Sequence, residues 1–460
     1  MRLTWLLLAF IVVPLLFTLP TPALCDEGGD ESAVESSKSL TLGEALALAT
    51  NHHPIMGAAR QNLEIFKAKM FAAKWSWVPK IQMKGYASAT PGKEGDALNG
   101  STVYDSWGPY FSYEVSGILP VYTFGKIRNL QKMAEQGLHV GEAQIQIARA
   151  QLEELVLKAY IGLQYATGLL EAVDDGKQYM VRAREYLETK RDEDDEDYDD
   201  VDMLKLKVYE SELDGQRLTV ERNLKVALRG LEMLTGRPPE DFLPPAKLTR
   251  YKHELKSQDY YLQLAGTHRG ELLALGAAVK AQGRRVALEK SQFYPDLFVG
   301  AFFKIARAWS VEQQSSPFAY DPYNSWFAGA GLGFQWNLDI FTRIGAIDEQ
   351  RAGQRKLQAQ RSAVKQQIEL EVYEAWLKVD EYKSLYDLDK RAYKAARGWM
   401  LAKLDLYESG FASFEDLKGG LIEFFKRKMK LEQTVYEYNL ALGQLGIACG
   451  FPVAQFLGIE

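Results

Sequence analysis

Residues 364–386 read VKQQIELEVYEAWLKVDEYKSLY, and their apolar side chains recur every third or fourth position. These apolar positions are Val364, Ile368, Val372, Ala375, Val379, Tyr382 and Tyr386. Earlier in the chain the same spacing links Leu152, Leu155, Ala159, Leu163, Ala166, Leu170 and Val173. This period is typical of long helices that pack along a partner helix in a coiled coil.

The placement of proline extends both patterns. No proline occurs between Pro120 and Pro238 or between Pro322 and Pro452, and both spans are rich in good helix formers. A helix from about Ile127 to Lys190 would be roughly 95 Å long at about 1.5 Å per residue. A compact domain cannot contain such a helix, so we expect an elongated, coiled-coil architecture.

The chain also repeats itself. The segment 54–86 aligns without a gap to 270–302, so that Pro79 meets Pro295. Each half therefore predicts a helix, a pair of strands, a very long helix, a turn and a helix, as in a duplicated unit. The predicted boundaries are 26–237 for the first repeat (strand pair about 80–120, helical hairpin about 126–236), 238–255 for a linker, 256–451 for the second repeat (strand pair about 296–338, helical hairpin about 344–450) and 452–460 for a tail.

Residues 1–25 have the layout of a secretory signal. Arg2 precedes an apolar run from Leu3 to Leu19, and small residues lead to Cys25. We expect cleavage near Cys25, and the sequence leaves open whether that cysteine carries a lipid. The alternative is an N-terminal membrane anchor, for which the run is short. Cys449 is the only other cysteine, so we expect a small packed side chain there and no disulfide framework.

The strand pairs alternate in polarity. Phe111, Tyr113, Val115, Gly117 and Leu119 alternate with small or polar residues, as do Ala328, Ala330, Leu332, Phe334 and Trp336. This pattern suits a transmembrane strand with lipid on one side, and Phe334 and Trp336 would lie at the membrane interface. An amphipathic hairpin packed on helices in a soluble protein is the alternative. Because four strands cannot close a barrel with a lumen, the membrane interpretation requires an oligomer. Residues 92–107 and 307–324 are predicted to be surface loops.

Catalytic and nucleic-acid functions find little support. The sequence has no nucleophile elbow, phosphate loop, zinc-binding helix motif or cysteine pair. Its five histidines include one adjacent pair, His52 and His53, a spacing that is poor for joint metal ligation. Basic residues are interspersed with acidic ones, and the net charge is −6. We therefore expect no enzyme, no cofactor, no metal site and no nucleic-acid partner. A membrane-associated hydrolase is a distant alternative.

Several short motifs together resemble the TolC-like outer-membrane efflux proteins. They are the segment 40–45 (LTLGEA), the prolines Pro79 and Pro295, the strand exits 119–122 (LPVY) and 338–341 (LDIF), and the hairpin 407–417 (YESGFASFEDL). The resemblance implies an α+β membrane protein in which three chains form a twelve-stranded β-barrel in the outer membrane, continued by a long periplasmic α-helical barrel. It also implies a periplasmic adaptor and an inner-membrane transporter as partners.

This resemblance predicts a passive exit duct for solutes or proteins, although the sequence does not indicate which cargo passes. The competing interpretation is a periplasmic coiled-coil scaffold or adaptor without a pore. By the same resemblance, Asp202, Tyr407 and Asp416 would form a periplasmic gate. Adaptor docking would involve Gly410, Phe411 and Ser413. The family's tip arginine falls on Ala412 and its second ring aspartate on Gly419, so this gate would have fewer tethers and less charge.

The first hairpin carries an acidic run at its tip. The carboxylates are Asp192, Glu193, Asp194, Asp195, Glu196, Asp197, Asp199 and Asp200, in place of the family's usual turn. A solvated surface is the simplest interpretation of such a run. A cation site made of carboxylate oxygens and an electrostatic dock for a basic adaptor are the functional alternatives.

Overall fold

The computed structural model describes residues 39–95, 99–193, 198–314, 318–409, 411–412 and 414–459. The predicted signal segment 1–25, with Cys25, lies outside this range. Within the described residues, no helix combines the length and the apolar character that crossing a membrane requires.

The two halves of the chain have the same order of elements. The first contains α1 (Leu42–His52), α2 (Pro54–Lys74), β1 (Lys80–Glu94), β2 (Ser101–Tyr122), α3 (Lys126–Asp192) and α4 (Asp200–Thr235). A 3₁₀ turn (Pro239–Phe242) precedes the second half, which contains α5 (Gln258–His268), α6 (Gly270–Ser291), β3 (Asp296–Ala308), β4 (Ser325–Gln335), α7 (Ile340–Glu408), α8 (Phe414–Ala448) and α9 (Val453–Leu457). The long helices α3 and α7 have 67 and 69 residues, which corresponds to roughly 100 Å each.

Local signals explain where several helices begin and end. Thr41 and Glu44 form a reciprocal capping box at the start of α1, which accounts for the LTLGEA segment. Pro54 occupies the first turn of α2, where its missing N–H costs nothing. Helix α4 ends at Gly236 in the left-handed conformation, and Gly450 has the same conformation just after α8.

The four strands form one antiparallel sheet in the order β1-β2-β3-β4. The register places alternate residues on two distinct faces. The apolar face carries Ile81, Met83, Gly85, Ala87, Phe111, Tyr113, Val115, Gly117, Leu119, Leu297, Val299, Ala301, Phe303, Ile305, Arg307, Trp326, Ala328, Ala330, Leu332 and Phe334. The opposite face, called the mixed face below, carries lysine, glutamate, serine, glycine and phenylalanine.

The prediction of a loop at residues 92–107 is wrong for most of that segment. Strand β1 continues to Glu94 and β2 already begins at Ser101, so the connection between them is short. A register shift between Pro91 and Gly92 lets pairing resume beyond the proline. The second predicted loop, 307–324, agrees with the connection between β3 and β4 except at its first two residues.

Helix packing follows two regions of buried apolar residues. Near the tips α4 packs on α3, α3 on α8 and α8 on α7, so α4 and α7 lie at the edges of this layer. Towards the sheet α2 packs on α3, α3 on α6 and α6 on α7. The main core lies where these two sets of helices meet, and it includes the fully buried Leu152, Val372 and Leu445. Cys449 is also buried there, as expected, and burial raises the pKa of its thiol to about 12.

Candidate channel wall and hairpin tips

Within the described residues, the edges of the sheet have no partner strand, apart from a bridge between Lys93 of β1 and Val311, and no other helix or strand covers its apolar face. On this face Leu332 is 87% exposed, Trp326 72% and Ile81 66%. Strands β1 and β4 are the edges of the sheet, so each presents a row of backbone N–H and C=O groups on its outer side. A soluble protein rarely leaves such an apolar surface and such edges without a partner.

Phe334 and Trp336, expected at a membrane interface, occupy different positions at the same end of β4. Phe334 lies on the apolar face opposite Leu297 and is 69% exposed. Trp336 follows the last residue of β4, and its Nε1 donates a hydrogen bond to the carbonyl oxygen of Phe293 at 2.9 Å. The indole is therefore anchored where the strands of the second half join the helices.

A separate apolar cluster holds the two helical hairpins together at their tips. Its buried residues are Met180, Ala183, Leu187, Leu206, Met400, Tyr407, Leu417, Leu421 and Phe424. Tyr407 packs against Tyr186 with ring centroids 4.7 Å apart. Burial raises the pKa of Tyr407 above its ordinary value, and the nearby Tyr186 and the charge of Asp202 raise it further. The structure thus brings Tyr407 and Asp202 into one neighbourhood within a single chain.

The two aspartates of the predicted gate each pair with a lysine. Lys205 Nζ lies 2.9 Å from Asp202 Oδ1 on the same helix. Lys403 Nζ, on α7, lies 3.0 Å from Asp416 Oδ1 on α8. These contacts partly neutralise the carboxylates. The spacing of three residues could have revealed the first pair from the sequence, whereas the second depends on how the hairpin folds.

Of the three residues predicted to dock an adaptor, Phe411 is described. Its side chain is 84% exposed, and its backbone N–H donates to the carbonyl of Leu406 at 2.8 Å. Gly410 and Ser413 lie outside the described residues. Ala412 is partly buried against the tip cluster, so the position of the family's arginine contributes to packing here.

The described part of the acidic run has local roles. Asp199 caps α4 by accepting from the N–H of Val201 at 2.8 Å. Asp200 accepts from the hydroxyl of Tyr198, and Asp192 pairs with Arg191 at 3.1 Å. Glu193 is the exposed C-cap of α3, whereas Asp194, Asp195, Glu196 and Asp197 lie outside the described residues. Among the residues that the structure describes, no group of three side chains is arranged to hold a metal ion.

Several solved structures share this arrangement of helices and strands. The chain resembles VceC, an outer-membrane protein of Vibrio cholerae, with a TM-score of 0.71 and 19% identity over 90% of this chain and 96% of that one. It resembles CusC, whose study concerns transmembrane channel formation, with a TM-score of 0.74 and 15% identity over 89% and 92% of the chains. For the open state of the Neisseria gonorrhoeae MtrE outer-membrane channel the TM-score is 0.73, with 14% identity over 92% and 94%.

The chain has the fold of TolC-like outer-membrane channels. The resemblance inferred from short motifs is thereby confirmed at the level of the fold. No protein-family model and no curated protein matches the sequence. The described chain combines one four-stranded sheet with two paired helical hairpins, as in that fold. The tip cluster then lies at the end of the molecule furthest from the sheet.

Proposed function

We propose that this chain is one of three identical subunits of an outer-membrane channel and provides a passive exit duct for solutes or proteins. The observation that carries the proposal is the sheet, whose apolar face is exposed along all four strands and whose two edges have no partner strand among the described residues. Lipid would cover the apolar face, and pairing between β4 of one copy and β1 of the next would satisfy both edges. Three copies would supply twelve strands, as the resemblance implies.

The helices at the edges of the tip layer support the same assembly. On α4 the exposed apolar side chains include Leu204 (60%), Leu218 (68%) and Met233 (70%). On α7 they include Leu370 (56%) and Leu388 (52%). Neither of these faces is covered by the part of the chain that the structure describes, and a ring of copies would bury α4 of one subunit against α7 of its neighbour.

A periplasmic scaffold without a pore accounts for the helical hairpins but not for the sheet. A scaffold would expose the apolar face to water, where Leu332 and Trp326 alone present large hydrophobic surfaces. We therefore assign the sheet to the outer membrane and the helices to the periplasm. Phe334 and Trp336 would mark the interface between them.

The partners and the gate belong to the same proposal. An inner-membrane transporter would supply the energy, and a periplasmic adaptor would contact the hairpin tips, where Phe411 is 84% exposed. The gate would consist of Tyr407 with Asp202 and of Asp416.

If the acidic run is a dock, replacing its carboxylates by Ser and Asn would weaken adaptor binding and flatten its salt dependence. Unchanged binding at low salt would end that part of the proposal.

Fractionation and mass together test the proposal. Cells that make the protein would be separated into periplasmic, inner-membrane and outer-membrane fractions, and the detergent-extracted protein would be weighed by native mass spectrometry. We expect it in the outer membrane with three times the mass of the mature chain. A soluble periplasmic monomer released by osmotic shock would overturn the proposal and favour the scaffold.

A further inference from the structure

The mixed face of the sheet carries a cross-strand row of charge. The register places Lys84 opposite Glu114, and Glu114 opposite Lys304. The row ends at Phe327, whose ring centroid lies 5.9 Å from Lys304 Nζ. In the described part of the chain none of these three charged side chains takes part in an ion pair within 4.0 Å. Two lysines and one glutamate give the row a net charge of one positive unit per chain.

A further lysine, Lys80, lies on the same face nearer to the helices. Lys80 on β1 is paired with Ile118 on β2, and the row continues with Gly300 on β3 and Gly331 on β4. These three neighbours carry no charge. The next carboxylate in that direction is Asp296, and Lys126 Nζ already pairs with it at 2.8 Å. The strand residues of the mixed face thus include three lysines and two carboxylates, a net charge of one positive unit per chain, and Lys126 of α3 raises this to two.

On the same face, phenylalanine rings of β3 pack against glycines of β4. A Cβ atom at Gly333 would lie 2.7 Å from the ring of Phe298, and one at Gly329 would lie 2.9 Å from the ring of Phe302. Only glycine lets these rings rest so close to the neighbouring strand. Phe302 remains 45% exposed, so part of its ring is available for contact with another molecule.

We propose that the barrel lumen prefers anionic solutes, and in particular anions built on an aromatic frame, through the Lys84–Glu114–Lys304 row, Lys80 and the flanking phenylalanines. This inference rests on the proposed function, because the mixed face becomes a lumen when the sheets of several copies close. Inside a narrow wall of low dielectric, like charges from each copy add and concentrate counter-ions. Phenylalanine faces then contribute stacking that small inorganic anions do not gain.

Equilibrium binding of an aromatic trianion, pyrenetrisulfonate, tests the proposal without requiring an open gate. Its fluorescence anisotropy would be titrated with the purified, detergent-solubilised trimer. The titration compares three proteins, namely the wild type, the double variant Lys84→Gln with Lys304→Gln, and the single variant Glu114→Gln. The matched control is Lys69→Gln with Lys74→Gln, two exposed lysines of α2 outside the sheet. The cationic aromatic dye methylene blue serves as the probe of opposite charge.

We expect the two luminal lysine changes to weaken binding of the trianion about tenfold and Glu114→Gln to strengthen it, with no change in the control. The opposite direction for Glu114→Gln separates a charge effect from damage to the fold. Absence of binding by the wild-type trimer, equal binding by all variants, or tighter binding of methylene blue would overturn this inference alone. A protein that does not form trimers would instead overturn the proposed function, and the mass measurement distinguishes that outcome.

Discussion

Tyr407 is held at the hairpin tips mainly by packing. Its side chain is 7% exposed and contacts Tyr186, whereas Phe411, four residues later, is 84% exposed. The change Tyr407→Ala removes a buried ring, and we expect it to destabilise the tips by about 3 kcal/mol. The measurement is the rate at which a protease cleaves the folded protein near the tips.

Phe411→Ala is the matched control for this comparison. Because its ring is solvent-exposed, we expect a change in local stability below about 0.5 kcal/mol. Equal cleavage rates for the two variants would show that the tip cluster does not hold the hairpins together.

Glu432 gives a pH-dependent test at the same scale. Burial raises the pKa of its carboxyl above the ordinary value, against the opposing charges of Lys247 and Lys428. An acid whose pKa is raised on folding costs stability once the pH rises above its ordinary pKa, because the folded chain resists ionisation. We expect Glu432→Gln to raise Tm at pH 7.5 by about 2 °C and to lose this advantage near pH 4.

Glu64→Gln is the control for that series, since this carboxylate is 56% exposed and pairs with Lys67 on the surface of α2. Its Tm should stay close to that of the wild type at both pH values. A Glu432→Gln gain that persists unchanged at pH 4 would contradict a charge-based explanation.

At the scale of elements, the glycines that follow the two repeated helices provide an internal comparison. Gly236 and Gly450 both adopt positive φ, of 72° and 79°. A Cβ at Gly236 meets nothing within 4 Å, whereas one at Gly450 would lie 2.6 Å from the carbonyl oxygen of His268. Gly236→Ala should therefore cost about 1 kcal/mol, the strain of the left-handed conformation alone. Gly450→Ala should cost clearly more.

Denaturant unfolding of both variants measures this difference as a shift in the midpoint. Equal shifts would contradict the close approach of Gly450 to His268 at the end of α5, because backbone strain would then account for both. The comparison is informative because each glycine terminates the corresponding helix of its half of the chain.

Sequence patterns predicted the helices well but not every strand. Apolar periodicity over proline-free spans indicated two helices of exceptional length, and the structure contains them as α3 and α7. Pro91 and Gly92 suggested a loop, since both residues weaken strands. The register shift at these two residues lets the hairpin continue, and a shift of this kind depends on the partner strand rather than on local sequence.

The candidate site was predicted less completely, because its contacts join distant segments. The pairing of Asp416 with Lys403 requires the fold of the second hairpin, and the packing of Tyr407 on Tyr186 joins the two hairpins. In the sequence, the glycines at 329 and 333 are only small residues of an alternating strand. The structure shows that they leave room for the rings of Phe302 and Phe298. Such contacts cannot be derived from spacing along one chain.

At the scale of the whole molecule, the two faces of the sheet should respond differently to charge. Leu332 lies on the apolar face, where an arginine would contact lipid and cost about 2–4 kcal/mol near the middle of the membrane. Gln82 lies on the mixed face, opposite Ser116, where an arginine would be hydrated. We expect Leu332→Arg to reduce the yield of trimers that insert into lipid vesicles, and Gln82→Arg to leave it unchanged.

The yield is measured by floating vesicles through a density gradient and counting inserted protein. Equal losses for both variants would indicate that the apolar face does not contact lipid. A loss for Gln82→Arg alone would reverse the assignment of the two faces and, with it, the proposed position of the lysines in the lumen.

Single-channel recording in planar bilayers tests the central claim most directly. The purified wild-type protein and the variant Tyr407→Phe with Asp202→Ala would be added under identical conditions. We predict discrete current steps, small for the wild type and larger for the variant, because the substitutions would weaken the tip contacts that we propose as the gate. If both proteins insert as trimers and neither produces current steps, the chain is not a channel subunit.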